Sequence, residues 1–335
     1  MAIFLSHLDI GRLLDMDEAL AAVESALREQ HELTATNLPR QRLRVPKGVF
    51  RSMSGALPSR GVMGTKAGLQ SFEFGPGVTK ESVQVLYSTD SGELLAIFWS
   101  DLLTDYRTGA VGGVSVRYLA RASVRAIGVI GSGRQARTQL LAACRARQPS
   151  EVRVFSPTPE RRQQFASEMA RQLGVEVRAV NDVRDAVSGC DVVITATSAT
   201  EPVFDGEWLS PGTHVVSIRS SYRLDIASGR ERREIDDSTV ARAAVIAVDS
   251  LDQARAQESP EVGDAVASGR AVELGAIIAG DKPGRTADDQ ITLFKCFGMG
   301  LLDVAVADRV YRRAIESGVG LVLPGTADNE RSQGR

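Results

Sequence analysis

Residues 128–140 read GVIGSGRQARTQL, and the fold turns on what this glycine cluster does. The apolar run RAIGVI before it predicts a β-strand, and RQARTQLLAACRAR after it predicts a helix. Gly131, Ser132, Gly133, Arg134, Gln135 and Ala136 match the G-x-G-x-x-[GA] pattern that opens a dinucleotide-binding βαβ unit. EVRVFSP then follows where that unit needs its second strand. Gly131 would permit the tight turn, Gly133 would let the backbone approach a pyrophosphate, and Ala136 would let the helix pack on the strand. The first N–H groups of the helix and its positive dipole end would face the anion. A glycine turn without a ligand is the plainer alternative; the strand–turn–helix–strand context weighs against it.

Downstream, strand-like and helix-like segments alternate: EVRVFSP, PERRQQFASEMARQLG, VEVRAV, CDVVITATS, HVVSIRS and VARAAVIAVDS. Such alternation predicts a parallel α/β sheet. At the end of the second strand an NAD site usually places Asp or Glu on the ribose 2′-hydroxyl. This chain instead has Ser156 and Thr158, then Glu160, Arg161 and Arg162. The arrangement favours NADP(H) over NAD(H), with Arg161 near the 2′-phosphate, unless the arginines only decorate an exposed helix start. Thr195, Thr197 and Ser198 follow another apolar strand, at the carboxyl edge where open α/β sheets bind ligands. They are further cofactor candidates, or simple turn-formers.

Upstream the pattern is different. MDEALAAVESALREQHEL repeats apolar residues at helical spacing, with Asp15 and Asp17 near its start. VQVLYSTDSGELLAIF predicts a β-hairpin around Thr-Asp-Ser-Gly. DLLTDYRTGAVGGVSVRYLA predicts a helix whose small residues allow close backbone packing, and a long helix is expected in ITLFKCFGMGLLDVAVADRVYRRAIESG. The fold class is therefore α/β: a Rossmann domain over 119–303 and an α+β domain over 1–118, with 304–328 packing back on the latter.

Composition excludes several classes. A formal net charge of −2 gives no reason to expect nucleic acid or an anionic membrane as partner. Cys144, Cys190 and Cys296 form no C-x-x-C pair and suit reduced cytosolic thiols. The N-terminus acquires acids too early for a signal peptide, and no apolar run approaches the length of a membrane span. A cytoplasmic protein is expected. His7, His31 and His214 lack metal-ligand spacing, so no metal site is expected.

Four stretches together are more specific than the glycines. NLPRQRLRV, MSGALPSRGVMGTKAG, DLLTDYRTGAVGG directly before VIGSGRQA, and the late DDQITLFKCFGMGLLD make the chain resemble the ornithine cyclodeaminase/mu-crystallin family over nearly its whole length. The resemblance implies a homodimer whose first domain supplies the subunit contact and much of the substrate site. It implies that Arg40, with Arg42 as a register alternative, holds a substrate carboxylate. It also implies that Lys66 lies near the reacting carbon, that Arg107 is a second carboxylate clamp, and that Thr108 lies by the cofactor phosphates. The chemistry is coherent: guanidinium forks orient a carboxylate, and a desolvated lysine beside cations can exchange a proton near neutral pH.

The chain departs from the family at one position. In true cyclodeaminases a Gly-x-Asp-x-Pro-Gly-Lys element supplies an acid/base aspartate. Here GTHVVSIRSSYRLDIASGRERREID places about Ser221 there, with Asp225 four residues on. Deamination with ring closure needs that carboxylate; reduction of a preformed imine does not. The expected activity is NAD(P)H-dependent reduction of the C=N bond of a small imino carboxylate, or reversible oxidation of an amino acid, with Lys66 as the catalytic proton donor. The alternatives are a cyclodeaminase using Asp225 and a cofactor-bound small-molecule-binding protein of the crystallin type.

Overall fold

The computed structural model describes residues 1–46, 48–71, 82–218 and 233–324. The chain forms two compact units, 1–107 with 299–335, and 108–298. The first unit begins with β1 (Ile3–Leu5), α1 (His7–Leu13) and α2 (Met16–His31). Ser6 and Asp9 close a reciprocal capping box on α1, and Asp15 caps α2 by accepting the Glu18 N–H at 2.8 Å. Next come β2 (Thr36–Asn37), β3 (Gln41–Val45), β4 (Gly48–Leu57), β5 (Val62–Ser71), β6 (Ser82–Ser88) and β7 (Leu94–Trp99). The expected hairpin is β6–β7, which pair antiparallel around the turn at Thr89–Gly92.

Helix α3 (Asp101–Leu119) crosses the division, its residues from Thr108 onward belonging to the second unit. The small residues there do permit close packing: a Cβ on Gly109 would lie 2.6 Å from the Thr138 carbonyl oxygen.

The second unit continues with β8 (Ala126–Ile130), α4 (Arg134–Ala146), β9 (Glu151–Phe155), α5 (Pro159–Leu173), β10 (Glu176–Ala179), β11 (Val192–Thr195) and β12 (His214–Ser217). It ends with α6 (Asp237–Arg242), β13 (Ala243–Val248), α7 (Leu251–Gln257), α8 (Gly263–Ala267), β14 (Ala271–Glu273), α9 (Leu274–Ala279) and β15 (Ile291–Lys295). Its sheet runs β10-β9-β8-β11-β12-β15-β13-β14, and every pairing is parallel. All residues of β8, β11, β12 and β15 are buried, as a parallel sheet covered on both faces requires. Strand order reverses between β8 and β11, which is the point where doubly wound sheets bind ligands.

The chain returns to the first unit through α10 (Gly300–Ser317) and β16 (Leu321–Val322). That unit's sheet is β16-β1-β7-β6-β5-β4-β2, with β3 also on β4. Helix α10 lies directly on β4: a Cβ on Gly55 would sit 2.6 Å from Leu301 Cα, and one on Gly300 would sit 2.5 Å from Ser54 N. The Leu301 N–H also donates to Asn37 Oδ1 at 3.1 Å.

The domain limits expected from sequence, 118/119 and 303/304, differ from these divisions. No break in α3 marks the first division. At the second, α10 already begins at Gly300 and belongs wholly to the first unit.

Candidate active site

Lys66 sits mid-way along β5, opposite Met53 of β4 and Gln84 of β6. It is 9% exposed. Its Nζ donates to Asp303 Oδ1 at 2.7 Å and to Thr104 Oγ1 at 3.0 Å. Arg107, on α3, donates from Nε to the same Asp303 oxygen at 3.1 Å. Asp303 reaches this point from the first turn of α10, the helix that the Gly55–Gly300 contact holds against the sheet. One fully buried carboxylate thus bridges two cations.

The electrostatics follow from this geometry. Burial is the largest influence on Lys66 and disfavours its charged form; Asp303 opposes that, while the charges of Arg107 and Arg40 add to it. The net result is a lysine brought down to about 8. Burial pushes the Asp303 carboxyl upward, but Arg107 and Lys66 outweigh it and hold Asp303 below the usual carboxylate range. Arg42 lies on β3 opposite Arg51 of β4. Lys66 and Arg107 meet on Asp303, and the charge of Arg40 acts on Lys66. Asp303 is the member that sequence reasoning missed, although a lone acid inside the apolar run LLDVAVA is a visible signal.

The second unit holds the nucleotide candidates. Gly131 has φ +121°, and a Cβ there would meet the Ala196 carbonyl oxygen at 2.4 Å, so a side chain is excluded at this turn. Gly133 is the N-cap of α4, makes no side-chain cap, and has open space where a Cβ would stand. Ala136 is fully buried against the sheet, while Arg134 is exposed and Gln135 half-buried. An uncapped helix start behind an open glycine suits a pyrophosphate, and a nicotinamide dinucleotide fits the residues present. Gly133→Val should therefore fold with unchanged thermal stability yet bind NADPH about 10- to 100-fold more weakly, equivalent to losing a charge-assisted hydrogen bond. Fluorescence titration of NADPH checks this.

Ser132 Oγ donates to Ser156 Oγ at 3.0 Å, tying the glycine turn to the end of β9. Thr158 is exposed at the N-cap of α5. Arg162 folds back: it donates to the Ser156 carbonyl at 3.0 Å and to Asn181 Oδ1 at 2.7 Å, with its guanidinium over the Phe155 ring. Arg161 stays exposed. Thr108 is buried, its carbonyl accepting from Gln139 Nε2 at 2.6 Å.

Thr195 is fully buried and donates its hydroxyl to Glu234 Oε2 at 2.9 Å, bracing the loop after β11. Thr197 is anchored to the same carboxylate through its N–H at 2.6 Å and its hydroxyl at 3.0 Å. Ser198, beyond them, is exposed. Glu234 is itself held by Glu261, which accepts its N–H at 2.8 Å and pairs with the buried Lys295, the lysine of ITLFK. Lys295 also donates to Ser217 Oγ at 2.9 Å.

Ser221 and Asp225, on which the cyclodeaminase alternative turns, lie outside the described residues. Among the described residues no group of three or more His, Cys, Asp or Glu is placed to hold a metal. No described helix is long and apolar enough to cross a membrane.

The chain as a whole is similar to known proteins. An alanine dehydrogenase from Archaeoglobus fulgidus is 34% identical over 330 residues, covering 95% of this chain and 97% of that protein. The structure of Thermococcus litoralis Δ1-pyrroline-2-carboxylate reductase in complex with NADH and L-proline superimposes with a TM-score of 0.87 at 32% identity, covering 96% of this chain and all of that one. An archaeal alanine dehydrogenase dimer with bound NAD gives a TM-score of 0.86 at 31% identity, covering 96% and 99%. Residues 1–318 match the sequence profile of one family. The chain belongs to the ornithine cyclodeaminase/mu-crystallin family.

Proposed function

We propose that this protein is a nicotinamide-dependent oxidoreductase that reduces the C=N bond of a small 2-imino carboxylate, or in reverse oxidises the 2-amino carboxylate. The observation that carries this is the buried Lys66–Asp303–Arg107 cluster with the Arg40 charge beside it. When bound, the nicotinamide supplies the hydride, or accepts it in the reverse direction. Arg40 and Arg107 grip the substrate carboxylate and set the orientation of the C=N bond. Lys66, directly or through water, gives a proton to the product nitrogen, and Asp303 holds its ammonium in place. The relatives named above act on alanine and on pyrroline-2-carboxylate, which is the same chemistry in two directions.

The finer cofactor choice we assign to NADP(H). No acid ends β9, and Arg161 stands exposed in the first turn of α5 while Arg162 is engaged elsewhere. Purified protein should oxidise NADPH when given cyclic imino acids, or 2-oxo acids with an amine. Arg161→Glu should lower kcat/KM for NADPH about 10-fold or more relative to NADH, the scale of one lost charge-assisted phosphate contact. An unchanged NADPH/NADH ratio would remove Arg161 from that role. A homodimer is the proposed working form, as in the archaeal dimer.

A further inference from the structure

Beside Lys66 stands a residue that neither the family motif nor the proposed chemistry uses. Met53, Lys66, Gln84 and Phe98 are successive partners across β4, β5, β6 and β7, so their side chains share one face of the sheet. That row is buried: Met53 is 5% exposed, and Gln84 and Phe98 are fully buried. Their neighbours on the same face, Leu86 and Ala96, are fully buried and apolar. Gln84 is the exception. Neither its Oε1 nor its Nε2 finds a hydrogen-bond partner among the described residues, and the same holds for Asp303 Oδ2.

A buried amide left unsatisfied is destabilising, and a leucine at this position would avoid that cost. Three unpartnered polar atoms around one reactive lysine point to a ligand that supplies the missing partners. The carboxylate of the substrate has its arginines already. An amide presents one acceptor and two donors, so its complement is a neutral group that both donates and accepts.

We propose that Gln84 is a substrate-contacting specificity residue that selects 2-imino or 2-amino carboxylates whose side chain carries a hydroxyl or carboxamide. This rests on the oxidoreductase function proposed above. A site that hydrogen-bonds such a group discriminates against the analogue lacking it, because the buried amide is then left unpaired.

The test uses near-isosteric pairs, L-threonine against L-valine and L-asparagine against L-leucine, with full-length wild type and Gln84→Leu. Ligand-induced thermal shifts in the presence of NADP+ report binding, and NADPH formation reports turnover. Wild type should favour the polar member at least about 10-fold, equal to one satisfied hydrogen bond. Gln84→Leu should lose or reverse that preference while melting higher without ligand. A preference ratio unchanged in Gln84→Leu, or a lower melting temperature without ligand, overturns the proposal. Polar-selective shifts without NADPH formation from any amino acid or oxidation with any imine would sink the oxidoreductase function and leave the Gln84 contact standing.

Discussion

Lys66→Met is expected to lower kcat for imine reduction by about 10²- to 10⁴-fold, the usual contribution of a positioned proton donor. Methionine keeps the length and apolar stem of lysine, and Asp303 retains its bond from Arg107, so the fold should survive. KM for the substrate should change little, because Arg40 and Arg107 still hold the carboxylate. A loss confined to KM would make Lys66 a binding residue instead. The same lysine fixes a pH signature. Below about 8 it is an ammonium and can donate; above that it is a neutral amine and can accept. Reduction should therefore fall as pH rises through about 8, and amino-acid oxidation should rise over the same interval. Lys66→Arg, which keeps the charge but does not titrate there, should erase that limb from whatever activity remains.

Asp303→Ala is expected to destabilise the first unit by about 3–5 kcal/mol, the scale for removing one partner of a buried charge pair. The change leaves Lys66 and Arg107 buried together, with Arg40 adding to their repulsion. Part of the loss should return at higher pH. A lysine whose folded-state pKa lies below its unfolded value binds fewer protons when folded, so stability rises with pH until both states are neutral. Urea unfolding across pH 7–10 measures both effects. Asp303→Asn keeps the shape but removes the charge that raises Lys66, so its reduction limb should move below pH 8. An unmoved limb would mean that Asp303 acts on structure alone.

How much of this was legible beforehand depends on range along the chain. The βαβ unit showed itself because strand, glycine turn and helix are contiguous, and the β6–β7 hairpin showed itself for the same reason. Lys66, Arg40 and Arg107 are unremarkable in isolation, and only their joint motif singled them out. Asp303 lies 237 positions from Lys66, and no local period reveals that a helix start will carry it there. Thr195 illustrates the converse. Its place at a strand end made it a cofactor candidate, while nothing local showed that Glu234, 39 residues away, accepts its hydroxyl. Gln84 is hidden by alternation: in Val83-Gln84-Val85 the simplest pattern turns the glutamine outward, whereas the sheet buries it and leaves both valines better exposed. The boundary within α3 left no trace, because an uninterrupted helix carries no linker signal.

The proposed reaction delivers hydride to a preformed C=N bond. Its most direct test is incubation of the purified protein with NADPH and Δ1-pyrroline-2-carboxylate, following nicotinamide absorbance and proline together. One proline formed for each NADPH oxidised, with no ammonia released, is the predicted result. Silence towards that imine and a wider panel of imino carboxylates, with ornithine instead converted to proline and ammonia without net cofactor use, would contradict it.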